Sequence, residues 1–220
     1  MEEIINIIAS PSEALKRIAD EPKRWMPFVL CVGVFFLLAW LNGCWQNFAA
    51  AFSWSNLLAP ALMSPLIVGF VSLGSTIFIY LLNLVLGDEH ARSTRFKSLY
   101  SLNIHCGVIF LLGEVVNFLL VRTNILADYT TPLRGRFPVG LDVLLLGVDE
   151  PNIYLSIILH STSVFLIWYI VVLSLGIRVV TGTSRAKAAV IAVTFWCTLV
   201  LLALAAVYAA GGGTTIRIRI

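Results

Sequence analysis

The sequence predicts an all-α fold: a polytopic integral membrane protein built as a five-transmembrane-helix bundle with an N-terminal amphipathic interfacial helix. Three observations predict it. Hydrophobic residues make up 59% of the 220 and charged residues only 12%, against about 45–50% and about 25% in soluble domains, and the mean hydropathy is +0.93. The apolar residues gather into runs of roughly 20, the length that crosses about 30 Å of hydrocarbon at about 1.5 Å per residue. Finally, the net charge is a modest +3, with the basic residues at the ends of the runs rather than in one patch. That pattern serves topology and excludes a nucleic-acid partner.

Residues 1–24 form a lead-in that is too polar to cross, yet Ile4, Ile5, Ile7, Ile8, Leu15 and Ile18 are apolar enough to lie flat at the interface. Ser10 and Glu13 have capping-box spacing around Pro11, so a helix is expected from Pro11 to about Glu21, ending before Pro22. The membrane domain then occupies residues 25–210. Its first span, about 25–42, follows Lys23 and Arg24, and insertion is expected to rely on it because no cleavable signal pattern precedes it. Gly43 to Pro60 lacks Lys and Arg but holds Trp45, Phe48, Phe52 and Trp54, the aromatic usage of a headgroup boundary. The second span, about 61–86, carries Gly69, Ser72 and Thr76 at helical spacing, a small face that admits a neighbouring helix. The third, about 98–121, follows a charged turn with Arg92, Arg95 and Lys97. A long connection broken by Pro132, Gly135, Pro138 and Gly140 leads to Leu141–Val148, too short to cross and expected to form an interfacial or re-entrant helix. The fourth and fifth spans are expected at about 152–176 and 186–210, and 211–220 forms a short tail.

Five spans divide the 15 Lys and Arg into ten on the N-terminal side and five on the other. The positive-inside rule therefore places the N-terminus in the cytoplasm and the C-terminus outside.

Only the third run carries a carboxylate well inside it. An ionised acid at mid-bilayer depth costs roughly 2.5–3.5 kcal/mol on insertion scales, so Glu114 is expected to face protein or water. At about 100° per residue it shares a stripe with Asn103, Gly107, Phe110, Asn117 and Val121. His160 lies at matched depth on the fourth run, about 10–12 Å below the outer face, in a stripe with Ser163, Ile167, Val171, Ser174 and Arg178. A Glu114–His160 pair lining a polar seam with Asn103, Asn117 and Ser163 is thus a candidate site. Buried hydrogen bonds that only cement helices are the plainer reading of the same residues. His105 stands about 180° from Glu114 on the helix and does not share its stripe. Cys31, Cys44, Cys106 and Cys197 have no paired spacing, and the three His form no ligand set, so no metal or other cofactor is implied. Nucleophile-elbow, phosphate-loop and metalloprotease motifs are all missing, leaving no catalytic candidate.

Three stretches resemble the Yip family, the five-span Ypt/Rab-interacting membrane proteins, in its short bacterial branch. One is Ser10 and Pro11, then Ala14, Lys16, Ile18 and Pro22, directly before the first span. A second is Arg95 to Asn103. The most specific is Ile167 and Trp168 followed by Gly176, Gly182, Ser184, Lys187 and Ala188. The resemblance implies a five-helix membrane domain with a cytosolic N-terminus, no enzymatic activity, no cofactor and a bacterial inner membrane as its home. Eukaryotic Yip proteins are associated with Rab GTPases. With about 24 residues before the first span and no tyrosine, glycine, proline element, the resemblance here does not extend to a Rab partner.

Two functions follow as expectations. One is a non-enzymatic protein that organises membrane or binds membrane or cytosolic proteins through its lead-in and loops. The other is a small transporter or lipid-handling protein using the Glu114 and His160 seam, although no internal repeat of the transporter kind is present. Besides the lipid bilayer, self-association is an expected contact, through Gly69 and Ser72 or through Ala188 and Ala192.

Overall fold

Helices that are apolar on all sides have no face to give to water and must be covered by lipid or protein, and the structure divides them accordingly. The computed structural model describes residues 6–7, 10–46, 54–87, 96–122, 140–141 and 153–209, the side chains of 42–46, 54–56, 121–122, 153, 156 and 160 excepted. Among these residues the elements are α1 (Pro11–Asp20), α2 (Trp25–Gln46), α3 (Trp54–Leu86), α4 (Phe96–Arg122), α5 (Ile153–His160), α6 (Val164–Thr181) and α7 (Arg185–Ala209). The only pairing of extended backbone among them is one isolated bridge, Gly140 to Ser163. The fold is all-α. Parts of α3, α4, α6 and α7 are long and apolar enough to cross a membrane, and α1 with α2, bent by 119°, supplies a fifth when the pair counts as one span.

The third run is the central helix. α4 packs against α1, α2, α3 and α6, while α6 also meets α1 and α7, and α7 leans on α3 and α5. Where α4 meets the others its residues are sealed: Leu99, Leu102, Cys106 and Ile109 join the main core, and Ile104 and Val108 form a second cluster with Cys31 of α2. Elsewhere large apolar side chains face outward, such as Phe70 and Val71 on α3 and Leu201 on α7. Those are the surfaces that meet lipid.

Several expectations need correction. α1 does not keep its apolar face open to lipid. Ala14, Leu15 and Ile18 are at most 1% exposed, packed against α6 and α4. A stripe repeating at three and four residues finds the bundle before it finds lipid, because α6 thins at Gly176: a Cβ there would lie 3.0 Å from Leu15 Cδ2 and 2.9 Å from Leu102 Cδ2. The capping box is not closed either. Pro11 takes the first helical turn as expected, but the Ser10 side chain makes no capping bond, and its carbonyl instead accepts from the Glu13 amide at 3.3 Å.

The fourth apolar run is two helices, not one. α5 ends at His160 and α6 begins at Val164. Ser161, Thr162 and Ser163 make this break, being hydroxyl residues that compete for backbone groups. Ser163 caps α6, its Oγ accepting from the Leu166 amide at 3.0 Å. The Thr162 carbonyl accepts from the Leu141 amide at 3.0 Å, and the Ser161 carbonyl accepts from Trp196 Nε1 at 3.1 Å. Satisfying the opened backbone this way is what allows a helix to break among apolar neighbours. His160 and Ser163 consequently belong to no common helical stripe. α3 also starts earlier than position 61 and carries Pro60 and Pro65 inside it. Residues 47–53 of the Gly43–Pro60 connector, the Leu141–Val148 piece beyond Leu141 and the 211–220 tail lie outside the described residues.

Candidate functional site

Asn103 is the polar hub of the bundle. It sits on α4, 6% exposed, where α3 and α6 close on either side. Its Nδ2 donates to the Ser72 carbonyl at 3.0 Å and to Thr76 Oγ1 at 3.2 Å, and its Oδ1 accepts from the Tyr169 hydroxyl at 3.1 Å. Thr76 can accept because its own hydroxyl donates to the Ser72 carbonyl at 2.6 Å. Both amide hydrogens are therefore used, and one side chain ties three helices. Tyr169 is a site residue that sequence reasoning missed. Its signal was a tyrosine among Trp168, Ile170 and Val171, since a buried phenol in lipid needs an acceptor.

Further polar ties hold the same end of the bundle. Ser101 Oγ donates to the Lys23 carbonyl at 2.8 Å, joining α4 to the link between α1 and α2. His105 Nδ1 donates to the Ser101 carbonyl at 2.7 Å, one turn back on α4. Thr183 Oγ1 donates to Asn83 Oδ1 at 3.4 Å, joining the α6–α7 turn to the end of α3.

Glu114 and Asn117 lie on the other half of α4, both half-buried. The Oδ1 atom of Asn117 is sealed from solvent and has no hydrogen-bond partner among the described residues. Beside Glu114, Gly113 lets α6 approach so closely that a Cβ would stand 3.0 Å from Phe165 Cβ. Phe165 is the second residue of α6, so the broken junction Ser161–Ser163 and the end of α5 come to the depth of Glu114. The structure thus brings Asn103, Ser72, Thr76 and Tyr169 together and sets Glu114, Asn117 and Ser163 apart from them, toward the other end of the bundle. The expected Glu114–His160 contact lies outside the described residues, because the His160 side chain does.

The glycine, serine and lysine positions between the last two helices have local reasons. Gly176 is the point of closest approach described above. Gly182 ends α6 in the left-handed conformation, φ 71°, its amide donating to the Arg178 carbonyl at 2.9 Å. Ser184 opens α7, its Oγ accepting from the Lys187 amide at 3.5 Å, and the Lys187 side chain stays exposed. Pro22 sits in the bend between α1 and α2. By contrast, a methyl group added at Gly69 would meet nothing within 4 Å, so no helix among the described residues uses that part of the small face. Ala188 and Ala192 are fully buried in the main core, which commits them to packing within one chain rather than between copies. Among the described residues no group of three or more His, Cys, Asp and Glu could hold a metal ion.

A family model described as the Yip1 domain matches residues 5–207. No curated protein and no solved structure matches the chain.

Proposed function

The chain belongs to the Yip1 domain family, and from that premise we propose that it is a non-enzymatic membrane protein that organises membrane by presenting α1 and the neighbouring turns to protein partners in the bacterial cytoplasm. One observation carries this reading. α1 spends its apolar face on the bundle core, Leu15 at 0% exposure, and so holds Glu13, Lys16, Arg17 and Asp20 outward on a fixed support. A helix serving as a lipid anchor would keep that apolar face for lipid. The polar ties at Asn103, Ser101 and Thr183 support the same reading, since they rigidify the end of the bundle that carries α1.

Reversing the outward charges tests it. With Lys16→Glu and Arg17→Glu, crosslinks from a photoreactive group at Ser12 to neighbouring proteins in native membranes should disappear while thermal stability in detergent is retained. Unchanged crosslinks would remove α1 as the partner face.

A second reading, transport or lipid handling through Glu114, Asn117 and Ser163, is favoured by the helix break at the depth of Glu114, because broken helices line transporter sites. Glu114→Gln separates the two: it abolishes a transport function but leaves partner crosslinking and expression intact.

A further inference from the structure

We propose that the end of the bundle carrying α1 binds the phosphate headgroups of anionic phospholipids through a ring of basic side chains, a surface separate from the outward face of α1. Three ties bring these helix ends to one level. Ser101 bonds to the Lys23 carbonyl, Thr183 bonds to Asn83, and Leu15 meets α6 at Gly176. Arg24 and Trp25 therefore stand at the start of α2, Phe96 and Lys97 at the start of α4, Arg178 in the last turn of α6 and Arg185 at the start of α7, all on one rim. All six side chains are exposed.

Charge and chemistry both select the occupant. Among the described residues the acids at this end are Glu13, Asp20 and Glu21, all on or just after α1, and Glu21 already meets Lys23 at 3.9 Å. The α6–α7 turn thus presents cations with no acid among its neighbours in sequence, whereas Asp88 and Glu89 precede the start of α4. Next to the cations stand aromatics open to the surroundings. Trp25 is 78% exposed beside Arg24 and Phe96 is 37% exposed beside Lys97, with Phe96 stacked on Tyr100 at a centroid distance of 6.5 Å and edge-on to Tyr80 at 5.9 Å. A soluble acidic protein or nucleic acid has no use for aromatic rings set at the first turn of a membrane helix. A phospholipid does, because its phosphate meets the cation while the ring sits at the headgroup boundary. Each cation held near an anionic surface strengthens binding by about fivefold.

The test uses the full chain purified in detergent and mixed with equal amounts of phosphatidylglycerol and phosphatidylcholine, the retained lipids being counted by native mass spectrometry. Phosphatidylglycerol should be retained at least about fivefold over phosphatidylcholine, and the preference should fall as salt is raised. Arg178→Gln with Arg185→Gln should reduce it by at least about fivefold, whereas Arg178→Lys with Arg185→Lys should keep most of it. These two positions leave Lys23, Arg24 and the basic residues before α4 to direct insertion, and folding is verified by an unchanged melting temperature in neutral lipid. Equal retention of the two lipids, a preference untouched by the Gln pair, or displacement of the lipid by inorganic phosphate at the same concentration overturns the proposal.

Discussion

Asn103 and Gly176 act through opposite means, one by joining helices and the other by letting them meet. Bonds between helices in a membrane average about 0.6 kcal/mol and reach about 1.7, so Asn103→Leu, which removes three of them, should lower stability by roughly 1–3 kcal/mol in a detergent unfolding titration. Tyr169→Phe removes one and should cost under about 1.5 kcal/mol in the same titration. Gly176→Ala acts by overpacking. Its methyl would press on Leu102 and on Leu15, and a strained insertion of this size costs typically 1–3 kcal/mol. Because the pressure falls on Leu15, limited proteolysis should cut at α1 earlier in Gly176→Ala than in the parent protein. At this scale the sequence was half legible. Asn103 announced itself as an amide in an apolar run, whereas its partners required knowing which faces of α3 and α6 turn toward α4. Gly69 and Gly176 read alike in sequence, and only the neighbours decide that one is crowded and the other open.

Among the elements, α1 carries the most consequence. Its period was readable from Ala14, Leu15 and Ile18, but not its destination, since an interfacial helix and a docked helix share one pattern. Docking makes a quantitative difference. Leu15→Ala should destabilise the whole bundle by roughly 2–5 kcal/mol, as a buried leucine truncation does, while Lys16→Ala on the outward face should stay within about 0.5 kcal/mol. Thermal unfolding of the two variants in one detergent checks this contrast. The junction between α5 and α6 was the least legible element. Hydropathy runs straight through Ser161–Thr162–Ser163, and the break depends on a backbone amide from Leu141 and an indole from Trp196, both remote in sequence.

For the molecule as a whole, composition and run length sufficed for the all-α membrane fold, because no other architecture satisfies backbone groups over so many apolar residues except a closed barrel, whose strands alternate instead. The distribution of basic residues predicts an orientation that a reporter can check: one fused after Ile220 that works only outside the cytoplasm should be active, with one fused before Met1 silent. Which surfaces do the work depends on packing. The bundle consumes the apolar face of α1 and the small face of α7, so the end that carries α1 offers polar and basic side chains, and lipid contact falls to the outer faces of α3 and α7. The central claim, that α1 belongs to the core and only its polar side is presented, is tested most directly by the reactivity of single cysteines in liposomes, in a background with the four native cysteines replaced by Ala. Ile18→Cys should react with a lipid-soluble maleimide at least about tenfold more slowly than Val71→Cys on the lipid face of α3, while Lys16→Cys reacts readily with a water-soluble one. Reaction of Ile18→Cys as fast as Val71→Cys would contradict the account, for it would mean that α1 lies in the bilayer surface with its apolar face in lipid.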